Sequence, residues 1–145
     1  MYIGKVSEVT EELQKAMQRL IPQLGVHKIP PTLQELNQII KSESSMLLAA
    51  RYPDENGAII GVLSLTIYRV PTGIRSIIED LVVDKKTRRR GIGEALVRHA
   101  IELAREVGAD GVSLTSNSQR EEANQLYQSL GFDLRKTNPY YYKLK

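Results

Sequence analysis

Glu79-Asp80-Leu81-Val82-Val83-Asp84-Lys85-Lys86-Thr87-Arg88-Arg89-Arg90-Gly91-Ile92-Gly93 runs from an apolar strand through a basic, glycine-containing loop to the start of a helix. The helix is read from Leu96, Ala100, Leu103, Ala104 and Val107, which fall on one face, with Gly108 closing it. Arg98, His99, Glu102 and Arg105 take the polar face. A helix start leaves main-chain N–H groups unpaired, and the aligned peptide dipoles add positive potential there. Gly91 and Gly93 let the main chain approach a pyrophosphate with no Cβ between, and Arg88, Arg89 and Arg90 add charge-assisted hydrogen bonds. A run of arginines before a helix is also the pattern of a solvated loop. The strand before and the helix after favour the phosphate reading. The string lacks the Gly-Lys-Ser/Thr ending of a nucleoside triphosphatase loop and the third glycine of a dinucleotide fingerprint, so it points to a pyrophosphate of another kind.

Upstream of this stretch, Tyr2 to Val6 reads as a strand. Val9, Leu13, Ala16, Met17, Leu20 and Leu24 recur at helical spacing, with Thr10, Glu11 and Glu12 suited to the start of that helix and Pro22 and Gly25 to its end. His27 to Thr32, with Pro30 and Pro31, is a loop. Thr32 and Glu35 have capping-box spacing ahead of Leu36, Ile39 and Ile40, which predicts a second short helix. Met46 to Arg51 and Ile59 to Tyr68 are strands of a hairpin turning through Pro53 to Gly57, and Ile74 to Val83 is a third antiparallel strand. Downstream of the second glycine-closed helix, Val112 to Thr115 is a strand and Glu121 to Leu130 a helix ending at Gly131. Phe132 to Leu144 is expected to fold into a last pair of strands. The order βααβββαβαββ predicts an α/β (α+β) fold, a mixed, mostly antiparallel sheet flanked by helices.

The chain has 145 residues, the size of one domain, so residues 1–145 are read as a single domain. No segment nears the roughly 20 apolar residues that cross a bilayer, and residues 1–10 lack the pattern of a secretory signal; no membrane partner and a cytoplasmic location are expected. The absence of cysteine excludes disulfides, a thiolate nucleophile and a zinc knuckle. The net charge of +3 is small against 20 basic and 17 acidic residues, and its local excess lies in Lys85 to Arg90. Aromatic residues do not interleave with that cluster, which argues against nucleic acid as a partner. His27 and His99 stand apart with no carboxylates at metal spacing, so no metal is expected.

Glu79 to Asp84, Arg88 to Gly93, Ala123 with Leu126-Tyr127, and Leu130-Gly131-Phe132 together resemble the GNAT superfamily of acetyl-coenzyme A dependent N-acetyltransferases. The resemblance is specific from about residue 77 to 132, and the element order extends it to a GNAT-like fold over the whole chain. It implies acetyl-CoA as cosubstrate. The pantetheine arm would lie along the strand, held by main-chain groups of Leu81 and Val83. N–H groups of Arg89, Arg90, Gly91, Ile92, Gly93 and Glu94, with Arg88 at the first position of the motif, would hold the pyrophosphate. The asparagine often found seven residues before the motif tyrosine is Arg120 here, with Asn117 three residues earlier, and either is a candidate cofactor contact.

The implied reaction is direct attack of a primary amine of a small molecule or peptide on the thioester, in a ternary complex. An alkyl amine has a pKa of about 10.4 and must lose a proton first. Glu79 is the candidate base, with a water relay as the other route, because alternation puts it on the face of Leu81 and Val83. Asp80 falls on the opposite face unless a bulge intervenes. The Glu79-Asp80 pair resembles that of polyamine N-acetyltransferases and makes Asp80 a candidate for binding a cationic acceptor. The histone-acetylating branch has its base two residues earlier, where this chain has Ile77. Tyr127 occupies the position of a proton donor to the departing thiolate; helical spacing also permits a packing role. The other readings are a non-catalytic coenzyme A binding regulator and a nucleic-acid binder. The acceptor is left to Met17 to Thr32 and the C-terminal strands, and Tyr140 to Tyr142 leave a homodimer contact open.

Overall fold

The computed structural model describes residues 1–145, whose backbone groups into two compact units, Met1–Leu114 and Thr115–Lys145. The first unit is built on a five-stranded sheet in the order β1-β2-β3-β4-β5. Its strands are β1 (Tyr2–Lys5), β2 (Ser45–Tyr52), β3 (Ala58–Val70), β4 (Gly73–Val83) and β5 (Val112–Ser113). The first four pair antiparallel, and β5 joins β4 in parallel at only two positions, Ser76↔Val112 and Ile77↔Ser113.

Helices cover both faces, so the central strands are buried in runs instead of alternating with polar residues. On one face α1 (Glu11–Leu20) and α2 (Leu33–Lys41) bury Leu13, Met17, Leu20 and Leu36 against Leu47, Ala49, Val62 and Val82. On the other, α3 (Ile92–Glu106) packs against β1 to β4 and buries Leu96, Val97, Ala100 and Ala104. Both N-terminal helices start as their sequences require. Thr10 Oγ1 accepts from the Leu13 N–H at 3.1 Å, and Thr32 and Glu35 form a reciprocal capping box. A 3-10 turn, Ile21–Leu24, follows α1 directly. The end of α3 is a Schellman motif: Gly108 has a φ of 79°, and the Ala109 and Gly108 N–H groups reach back to Ala104 and Arg105.

The second unit carries α4 (Glu121–Ser129), which ends in the same motif. Gly131 has a φ of 98°, its N–H reaches the Gln128 carbonyl, and the Phe132 N–H reaches that of Tyr127 at 3.0 Å. The final pair of strands expected over Phe132 to Leu144 is not formed: residues 133–145 have no regular structure. Tyr140, Tyr141 and Tyr142 are about nine-tenths exposed, and Leu134 nearly so. Strand propensity in tyrosine expresses packing against cross-strand neighbours, and here there are none; Pro139 also withholds a ladder donor.

Candidate functional site

Two irregularities in β4 set the site. The first is a bulge. Val62 faces Val82 and Ser64 faces Glu79, so two steps on β3 span three on β4. Asp80 sits in the bulge with a φ of 50°, in the left-handed region that a non-glycine residue seldom adopts. Counting from the register, Val83 pairs with Gly61 and Glu79 with Ser64, three residues apart on β3 and therefore on opposite faces. The expected common face of Glu79, Leu81 and Val83 is thus corrected. The inserted residue turns Glu79 to the α1/α2 side, while Val83 lies toward α3, where its Cγ2 is 3.7 Å from where a Cβ on Gly93 would be.

The second irregularity is an open edge. Because β5 stops at Ser113, β4 from Ile78 to Val83 has no strand on that side. About 3.3 Å per residue makes this edge roughly 17 Å long, with the main-chain groups of Leu81 and Val83 along it.

The edge leads into the basic loop. Asp84 is buried and tied from several directions: its Oδ2 takes Arg19 Nε at 3.2 Å, and its Oδ1 takes Gln23 Nε2 at 3.5 Å and the Lys86 N–H at 3.2 Å. Its carbonyl accepts from the Thr87 N–H and hydroxyl. Burial pushes the Asp84 carboxyl upward, but the hydrogen bonds from Lys86, Gln23 and Arg19, with the charge of Arg19, outweigh it and hold the group below the usual range. Sequence reading missed this anchor, since the side chains that tie it to α1 and the turn after it, Arg19 and Gln23, lie more than sixty residues away.

Arg88 Nε reaches the Val83 carbonyl at 3.4 Å. Arg89 has a φ of 68°, and the Arg90 guanidinium lies 4.9 Å from the Tyr52 ring centroid, a cation–π contact. Gly91, at φ 74°, is the N-cap of α3. Unlike α1 and α2, α3 has no capping side chain, and its first main-chain bond is Ala95 N–H to Gly91 carbonyl at 3.0 Å. The N–H groups of Ile92, Gly93 and Glu94 are therefore the free donors of a fifteen-residue helix. A Cβ on Gly91 would meet nothing within 4 Å, so its requirement is conformational. An uncapped helix start, a side chain missing at Gly93 and an unpaired strand edge fit a pyrophosphate with an extended, amide-bearing arm.

On the α1/α2 face, Asp80 lines a cavity of about 410 Å³. Met17, Ile21, Ile39, Leu47 and Val62 form its walls; Ile29, Pro30 and Pro31 border it, and Ser64 and Glu35 are its other polar residues. The Asp80 carboxylate makes no hydrogen bond or ion pair, and Glu79 makes none either, although Glu79 is not among the lining residues.

In the second unit, burial pushes the Tyr127 hydroxyl upward, with the Arg120 charge opposing. Its ring meets Phe132 edge-on, centroids 5.9 Å apart. Asn117 is engaged in its own turn: Oδ1 accepts from the Gln119 N–H, and its carbonyl from Arg120 N–H and Asn124 Nδ2. Arg120 is the N-cap residue of α4, and its side chain forms no ion pair. Ser116 Oγ, which the sequence did not single out, is a buried hydroxyl with no partner.

An open strand edge running to an uncapped helix start lies beside an apolar cavity that carries the Asp80 carboxylate. The sequence model of the acetyltransferase (GNAT) family matches residues 8–132. The chain is 34% identical over 104 residues to the uncharacterized N-acetyltransferase YhdJ of Bacillus subtilis (strain 168), covering 70% of this chain and 71% of that one. It is 44% identical over 52 residues to N-acetyltransferase 8 of Homo sapiens, 36% of this chain and 23% of that protein. Among solved structures, an aminoglycoside acetyltransferase from an uncultured soil metagenomic sample aligns with a TM-score of 0.83 at 20% identity, covering 99% of this chain and 96% of that one, which is a likeness of fold. The chain belongs to the acetyltransferase (GNAT) family. It is an acyltransferase, an acetyl-CoA dependent N-acetyltransferase.

Proposed function

We propose that the chain transfers the acetyl group of acetyl-CoA directly to a primary amine in a ternary complex, with the pantetheine along β4 and the pyrophosphate on the α3 start. The observation that carries this reading is that the free edge of β4 ends at the one helix of the first unit without a side-chain cap. The acceptor enters on the Asp80 side of the bulge. The match to residues 8–132 runs through both compact units and supports their working as one N-acetyltransferase domain.

The amine docks as an ammonium ion against Asp80 and gives up a proton to Glu79, directly or through water. Its nitrogen lone pair attacks the thioester carbon; the C–N bond forms and the C–S bond breaks, the thiolate takes a proton from the Tyr127 phenol, and the second proton, released from nitrogen as the amide forms, returns to the phenolate through water. A phenol is protonated at neutral pH, the state a donor needs, and burial pushes that of Tyr127 further in the same direction. Main-chain N–H near Leu81 stabilises the developing oxyanion. Main-chain groups from Arg89 to Glu94, Leu81 and Val83 carry most of the cosubstrate binding, with Arg88 and Arg90 assisting; Arg120 has its side chain available for a phosphate, whereas Asn117 spends its carboxamide oxygen on its own turn.

Tyr127→Phe is expected to lower kcat by about 10–100-fold with a smaller change in the KM for acetyl-CoA, the pattern of a group acting in the transition state. Glu79→Gln should flatten the acidic limb of the pH profile of kcat/KM. Unchanged kcat in the first variant would reduce Tyr127 to packing, and an unchanged profile in the second would remove Glu79 from the proton path. Tight acetyl-CoA binding without thiol release from any amine would instead mark a regulator.

A further inference from the structure

The cavity next to Asp80 also bears on which amine is used, provided that the transfer reading above holds. Its walls are aliphatic, no lysine or arginine lines it, and its polar lining is limited to Ser64, Glu35 and Asp80. Glu35 already spends Oε1 on the Thr32 N–H in the capping box, whereas Asp80 has both carboxylate oxygens without a partner and is the better placed to take a cation. A polyhydroxylated amine would leave hydroxyls unpaired against Met17, Ile39 and Leu47, each such loss costing affinity. An anionic amine would meet two carboxylates and no basic partner.

The segment between α1 and α2 adds an independent observation. Ile29 borders the cavity yet is 86% exposed, and Val26 in the same segment is 92% exposed. An aliphatic side chain in that position loses contact with water when something apolar fills the cavity.

We propose that the acceptor is a primary amine on an apolar body, an alkyl or arylalkyl monoamine, with its ammonium group on Asp80 and its body against Ile29, Ile39 and Leu47. Specificity then comes from the fit of an apolar body, and the preference for hexylamine over methylamine is a direct reading of it.

The test is thiol release from acetyl-CoA with hexylamine, 2-phenylethylamine, methylamine, glucosamine, spermidine, glutamate and an aminoglycoside. Hexylamine or 2-phenylethylamine should exceed glucosamine and glutamate in kcat/KM by about tenfold or more, the worth of burying about two methylene groups. In Ile29→Ser the hexylamine-to-methylamine ratio should fall severalfold while Tm stays unchanged, because an exposed side chain contributes little to folding. Preference for spermidine, glucosamine, glutamate or the aminoglycoside, or an unchanged ratio in Ile29→Ser, would overturn the acceptor class and leave the transferase reading standing. Thiol release with none of the seven amines, despite acetyl-CoA binding, would overturn both.

Discussion

Asp80 has a left-handed φ and an unpaired carboxylate at the point where β4 gains one residue on β3. Bulges that re-aim a side chain recur beside active sites, and here the consequence is an acidic group turned into an apolar cavity. Asp80→Asn keeps a side chain that tolerates the left-handed region, so folding should survive while the KM for a cationic amine rises about tenfold, the loss expected for a charge-assisted hydrogen bond. An unchanged KM would place the ammonium elsewhere. Gly91 and Gly93 separate two reasons for glycine that sequence alone merges. Gly91→Val forces a β-branched residue to φ 74°, at a cost of about 1–2 kcal/mol and a Tm drop of roughly 2–8 °C by thermal melt. Gly93→Ala has ordinary space beside Val83 and improves helix propensity, so Tm should rise by about 1–4 °C while acetyl-CoA binding, followed by titration calorimetry, weakens.

Asp84 links elements rather than atoms of the reaction. It fixes the beginning of the basic loop to α1 through Arg19 and Gln23, and Gln23 also takes the Lys85 N–H. A carboxyl held below its unfolded value stabilises the fold at pH values above that unfolded value, and the contribution is lost as pH falls through the folded one. Asp84→Asn should therefore cost about 1–3 kcal/mol at neutral pH in urea unfolding, and the gap from the unaltered chain should close below about pH 4. A gap independent of pH would deny the ion pair its role. The element boundaries of α1, α2 and α3 were readable because their signals are local: Thr10, the Thr32/Glu35 box and Gly108 each act within a turn. The bulge left one trace, the adjacent acidic pair Glu79-Asp80 inside an apolar run, but strict alternation concealed which face each took. The Arg19–Asp84 contact left no trace, since spatial proximity across 65 positions has no local pattern.

Across the whole chain, the glycine-closed ends of α3 and α4 and the three antiparallel strands β2, β3 and β4 were legible, while the C-terminal strands were not. Leu130-Gly131-Phe132, read as part of a family signature, is also a Schellman motif whose Phe132 packs on Tyr127, so the same residues that end α4 fix its tyrosine ring. Residues 133–145 carry aromatic residues with strand propensity but no partner to realise it. If the α3 start and the β4 edge hold acetyl-CoA, saturation at about 100 times Kd should stabilise the folded chain by ~2.7 kcal/mol and raise Tm by roughly 5–10 °C. The most direct test of the central claim is initial-rate kinetics of thiol release with acetyl-CoA and hexylamine varied together. Direct transfer in a ternary complex predicts double-reciprocal lines that intersect; parallel lines, the mark of an acetylated enzyme intermediate, would contradict it.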